Sequence, residues 1–105
     1  MVKACDSIEL LDEEITKAGG KLVCIDFHAV WCGPCRVISP YVETLEAEMT
    51  DVVFLKVDVD ANSEAAERYE ITAMPTFILV KGGEKVETVV GASQEKLKTA
   101  VEKHK

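Results

Sequence analysis

Two short apolar runs with a helical stretch between them restrict this chain more than any other feature. Leu22 to Phe27 is a nearly continuous series of branched and aromatic residues, broken by Asp26, and Val52 to Val57 is a second such run. Runs of this length and composition read as strands covered on both faces. Between them, Ile38, Val42, Leu45 and Met49 recur at helical spacing. Strand, helix and strand within about 35 residues form a right-handed crossover between parallel strands.

The flanking segments extend the pattern. Val2 to Cys5 reads as a short opening strand; Asp6 with Glu9 three residues later has the form of a capping box for a helix carrying Ile8, Leu11 and Ile15, which Gly19-Gly20 ends. Asn62 is placed to cap a short helix through Tyr69. Thr76 to Val80 and Lys85 to Val90 flank Lys81-Gly82-Gly83-Glu84, a strong hairpin signal. Ser93 then caps a last helix that turns Leu97 and Val101 inward. The expected fold class is α/β: a mixed five-stranded sheet flanked by four helices.

Composition narrows the function. With 105 residues, 48% of them hydrophobic, the chain has the size and apolar content of one domain spanning residues 1–105. A formal charge of -7 leaves no basic stripe to neutralise phosphates, so nucleic acid is not expected as a partner. The acidity suits solubility and biases which protein surfaces the chain meets. No apolar run approaches the roughly 20 residues of a membrane span, and no basic and then apolar leader precedes Asp6, so no membrane association and a cytoplasmic location are expected.

Cys32 and Cys35 carry the chemistry. Residues three apart at a helix start lie at about the 4.4 to 6.8 Å Cα separation that a disulfide requires, so the pair can open and close without refolding. Free N–H groups and the helix dipole favour a thiolate on the first cysteine, which makes Cys32 the expected nucleophile. Cys35, a turn further in, is expected to be more buried and to attack the mixed disulfide that Cys32 forms. Gly33 keeps the approach open, and Pro34 stiffens the first turn at the cost of no hydrogen bond. Trp31 offers a flat apolar surface for an extended peptide, with ordinary packing as the alternative.

Asp26 is the one acid in an apolar run. Burial would raise its pKa toward neutrality and suit it to take the Cys35 proton, with Lys56 of the next strand as charge partner. A hydrogen-bonded or edge-facing carboxylate is the alternative. Structural zinc lacks its four ligands: Cys5 and Cys24 make no second close pair, and His28 and His104 lack zinc-finger spacing. Cys24 reads as a buried, inert thiol, and the two histidines as structural or surface groups.

The segment Trp31-Cys32-Gly33-Pro34-Cys35 after Leu-Val-Cys-Ile-Asp-Phe resembles the thioredoxin family, of the cytosolic, animal-like type. The likeness continues through Phe54 to Asp60, Ala73-Met74-Pro75-Thr76-Phe77 and the Gly91 region to the last helix. The resemblance implies the thioredoxin fold and a protein disulfide reductase that takes part in electron transport and cell redox homeostasis. Its partners would be disulfide-containing target proteins and a thioredoxin reductase that draws on NADPH; the chain itself would bind no cofactor and no metal. Cys32, Cys35 and Asp26 match the catalytic positions, Gly33, Pro34 and Lys56 those that tune the pair, and Trp31, Met74 and Pro75 those that meet substrate. Pro75 matches a cis-proline whose turn lies against the redox pair, the alternative being a proline that ends a loop.

Many animal members carry a cysteine just before Met-Pro, where this chain has Ala73, so a disulfide-linked dimer through that position is not expected and a monomer is. Gly-Pro between the cysteines, rather than Gly-His, separates the chain from the protein disulfide isomerase branch. The remaining alternative is a non-catalytic subunit that uses the same fold to hold a partner.

Overall fold

The computed structural model describes residues 1–105. In chain order it contains β1 (Lys3–Ala4), α1 (Ile8–Ala18), β2 (Leu22–His28), α2 (Gly33–Glu48), β3 (Val52–Asp58), α3 (Ser63–Arg68), β4 (Thr76–Lys81), β5 (Glu84–Val90) and α4 (Gln94–His104). The strands form one sheet in the order β1-β3-β2-β4-β5. β1, β3 and β2 run parallel, and β4 and β5 antiparallel to their neighbours. This is the expected mixed sheet, with β2 at its centre.

The position of β2 explains its composition. Successive side chains of a strand point to opposite faces, so a central strand covered on both must be apolar throughout. Leu22 and Cys24 pack with Phe54, Phe77 and Leu79 against Ile38, Val42 and Leu45 of α2 and Leu97 and Val101 of α4. Val23, Ile25 and Phe27 pack with Leu55, Val57 and Ile78 against Ile8 and Leu11 of α1 and Ala65 of α3. By the same alternation Asp26 and His28 face the α2 side. Cys5 and Cys24 are both buried free thiols, and burial pushes the pKa of each upward.

The hairpin between β4 and β5 turns through Gly82 and Gly83, at φ 62° and 81°, a pair of left-handed positions that side chains disfavour. Asn62 and Ser93 cap α3 and α4 as their positions predict, each accepting a backbone N–H three residues on. The N-terminus of α1 differs from the expectation. Its cap is Ser7 and not Asp6: Ser7 has extended backbone, its Oγ accepts from the Leu10 N–H at 3.1 Å, and its carbonyl accepts from the Leu11 N–H. Glu9 lies one residue short of the position a reciprocal box needs. Ser7→Ala is therefore expected to cost about 1 kcal/mol, or about 4 °C in Tm, and Asp6→Ala less than about 0.5 kcal/mol. Thermal melts showing the reverse order would return the cap to Asp6.

Candidate functional site

The carboxyl end of β2 leads through Ala29, Val30 and Trp31 into α2, whose N-cap is Cys32. Pro34 occupies the first turn, where a missing N–H breaks no helical bond, and the helix continues to Glu48 despite Pro40 in its interior. The connecting loop is pinned by the Arg36 guanidinium, which donates to the Val30 carbonyl at 2.6 Å. Trp31 is 63% exposed, and its Nε1 donates to Asp60 Oδ2 at 2.9 Å across the loop after β3. The indole face is thus presented to solvent beside the cysteines by a fixed hydrogen bond.

Cys32 and Cys35 are joined as a disulfide, with Cα atoms 5.3 Å apart. Cys32 Sγ stands here where the thiolate of the reduced protein would be, and it accepts the Cys35 N–H at 3.2 Å. The sequence predicts a more buried second cysteine; both residues are 5% exposed. Their surroundings distinguish them instead. Cys35 lines a cleft of about 220 Å³ together with Asp26, His28, Arg36, Ser39 and Lys56, and Cys32 is not part of that wall.

Asp26 is 6% exposed, and its Oδ1 is buried with no hydrogen-bond partner. Burial pushes its pKa from the ordinary 3.8 up to about 7, against the pull of the Lys56 ammonium, which lowers it. Lys56 is directly opposite Asp26 in the β2–β3 register, the neighbour that the sequence suggests. A carboxyl with a buried, unpartnered oxygen in the wall of a cleft is a group whose proton is available to the other residues of that wall.

The second wall of the site comes from the loop before β4. The Met74–Pro75 bond is cis. Thr76 Oγ1 donates to the Ala73 carbonyl at 2.6 Å, and the Gly91 N–H donates to the Pro75 carbonyl at 2.9 Å from a backbone at φ 100°, which favours glycine. Met74 packs, partly buried, against the cluster of Ala29, Cys32 and Cys35. Residues from three separate stretches, Asp26 to Cys35, Lys56 to Asp60 and Met74 to Thr76, therefore meet at one end of the sheet, where open α/β sheets place their sites.

The thioredoxin family model matches residues 4–103. The chain belongs to the thioredoxin family. A thioredoxin H-type protein of Fagopyrum esculentum is 48% identical over 91% of this chain and 84% of its own length. The thioredoxin of Callithrix jacchus is 45% identical over 96% of each chain. The X-ray structure of Fasciola hepatica thioredoxin superposes with a TM-score of 0.98 at 44% identity, covering 99% of this chain and 100% of that one. Plant and mammalian thioredoxins thus match about equally well. Thioredoxins are thiol-disulfide oxidoreductases that need no bound cofactor, and the redox-active pair is present here, so this chain is a disulfide reductase.

Three polar residues of the thioredoxin cleft lie outside the set that the sequence suggests: His28, Arg36 and Ser39. For Arg36 and Ser39, one and four residues beyond Cys35 on α2, the helical period is a weak signal. For His28 the signal is plain in retrospect: it is two residues beyond Asp26 and hence on the same face of β2.

Proposed function

We propose that this chain works as a single-domain dithiol electron carrier of the cytoplasm. In this reading Cys32 attacks the target disulfide, Cys35 resolves the mixed disulfide, and Asp26 accepts the Cys35 proton. The observation that carries it is the asymmetry of the pair. Cys32 Sγ sits at a helix N-cap with a backbone N–H directed at it, whereas Cys35 opens onto the cleft that holds the buried Asp26 carboxyl. A helix N-terminus lowers thiol pKa values and favours the anion, a rule for which the thioredoxin pair is itself a worked case.

The sequence of bonds follows. The Cys32 thiolate forms a bond to one sulfur of the target disulfide, and the other sulfur leaves with the electron pair and takes a proton. Cys35 then loses its proton to Asp26 and attacks Cys32 Sγ, which closes the Cys32–Cys35 bond and frees the second target thiol. Gly33 and Pro34 set the stiffness of the turn, and Lys56 restrains the rise of the Asp26 pKa. Trp31, Met74 and Pro75 line the approach, where an extended target segment would lie against the indole and the loop backbone. Re-reduction falls to a thioredoxin reductase drawing on NADPH, with the carrier acting as a monomer. No helix is long and apolar enough to cross a membrane.

Reduction of insulin with dithiothreitol as electron source tests the reading without a cognate reductase. The intact protein is expected to accelerate precipitation of the insulin B chain, and the Cys32→Ser and Cys35→Ser proteins to fall back to the rate of dithiothreitol alone. No acceleration by the intact protein would leave the fold as a holder of partners rather than a carrier of electrons.

A further inference from the structure

The cleft behind Cys35 contains a group that the reaction as described does not use. His28 ends β2 on the same face as Asp26, and residues two apart on a strand are separated by about 7 Å. Across the β2–β3 register Asp26 is opposite Lys56, and His28 is opposite Asp58. Four ionisable side chains therefore stand together at the ends of β2 and β3. His28 is half-buried while Asp26 is almost enclosed, so of these two groups in the cleft wall the imidazole is the more open to solvent.

We propose that His28 is a second proton-handling residue of this cleft, which takes from Asp26 the proton that Cys35 releases and passes it to solvent. The inference rests on the reading of Asp26 as proton acceptor. His28 touches neither sulfur; it is a positioning residue that acts through Asp26. When Cys35 attacks Cys32, its proton moves to the Asp26 carboxylate, then to the neutral imidazole, and then to water, which leaves Asp26 ionised and His28 neutral for the next cycle. The cleft volume of about 220 Å³ exceeds the roughly 30 Å³ share of a single water, so it has room for a water bridge between the two groups.

The groups facing His28 suit this task. From β3, Lys56 disfavours the imidazolium and Asp58 favours it; from α2, Cys35 and Arg36 share the cleft wall, and β4 brings only Thr76 and Phe77 to this end of the sheet, neither of them charged. Burial, the largest influence, holds the His28 pKa below its ordinary value, so the ring is neutral at pH 7 and able to accept a proton. Asp26, titrating near 7, and the neutral imidazole thus stand as proton donor and proton acceptor in the wall of one cleft, the arrangement that a transfer between them requires.

The test compares the reduced protein with its His28→Asn, His28→Ala and Asp26→Asn variants. Carboxyl and imidazole NMR titrations report coupling, and single-turnover reduction of a disulfide substrate reports the rate. His28→Asn should raise the Asp26 midpoint and leave one inflection where the intact protein has two. Asp26→Asn should lower the His28 midpoint by the same coupling, about 0.4 to 1.7 pH units for charges about 7 Å apart, from water-like to near-surface screening. His28→Ala should slow resolution roughly tenfold at pH 7, less than the hundredfold or more of a group that exchanges a proton with the reacting atoms themselves, and added imidazole should restore it. An Asp26 midpoint unmoved in His28→Asn, or coupling without imidazole rescue, overturns the relay. Failure of the Asp26 reading shows separately, as an Asp26→Asn protein with the intact protein's pH-rate profile.

Discussion

Cys35→Ser protein mixed with a disulfide-bonded target accumulates as a covalent one-to-one adduct through Cys32, and Cys32→Ser protein accumulates none. Both lose turnover by more than about a hundredfold, because each step of a covalent mechanism needs its own sulfur. The difference in capture follows from the neighbours of the two sulfurs and not from their accessibility, since both residues are 5% exposed. Cys32 Sγ faces the Cys35 N–H at the start of α2, next to the exposed Trp31 indole. Without Cys35 nothing in the chain is placed to attack the mixed disulfide: Cys24 and Cys5 are buried, and burial keeps both protonated. Non-reducing electrophoresis and intact mass before and after dithiothreitol read the result. An adduct formed by Cys32→Ser and not by Cys35→Ser would reverse the assigned order of attack.

How much of this was legible in the sequence depends on how local the cause is. β2 and β3 are readable because burial on both faces of a sheet demands unbroken apolar runs, and the hairpin because Gly82 and Gly83 take a backbone that other residues avoid. The redox pair is readable because spacing alone brings two cysteines to bonding distance at a helix start. The α1 cap is misassigned by one residue: Asp6 and Ser7 are both good capping types, and only the backbone geometry selects Ser7. Equal burial of Cys32 and Cys35 was not legible, because Val59 and Met74, from distant parts of the chain, pack against the cluster that holds both. By sequence His28 reads as a structural or surface group, although its parity with Asp26 puts the two on one face. What sequence did not supply was the cleft, lined by the first turns of α2 and the ends of β2 and β3, that turns a shared face into a shared site.

The largest effect on stability is expected at Asp26. Its pKa is raised from 3.8 to about 7 by burial, so between those values the native state holds a proton that the unfolded chain has released. Unfolding free energy changes with pH in proportion to protons bound by the unfolded state minus those bound by the native state, a negative quantity in this window. The contribution of Asp26 is thus fully present below about pH 4 and is lost as pH rises through about 7. At about 1.4 kcal/mol per pH unit the loss is about 4 kcal/mol, a large part of the total stability of a small domain. Lys56 is already counted in the value of about 7, since its charge lowers the Asp26 pKa.

Asp26→Asn removes the ionisation and keeps the shape. At pH 4 the variant and the intact protein both carry a neutral side chain and should differ only by what the new amide lacks in partners, about 1 to 3 kcal/mol in a site where Oδ1 has none. By pH 8 the balance should have moved in favour of the variant by about 4 kcal/mol. The change in the difference between the two proteins is the quantity to read, because other titrating groups cancel in it. Glu14, whose pKa is held down first by its hydrogen bond from Lys3, shifts stability in the opposite sense but does so in both proteins. Urea unfolding of the oxidised proteins at intervals from pH 4 to pH 8 measures it. A difference that stays flat with pH would mean that Asp26 is solvated in the native state, and the cleft would then have no buried acid to receive the proton of Cys35.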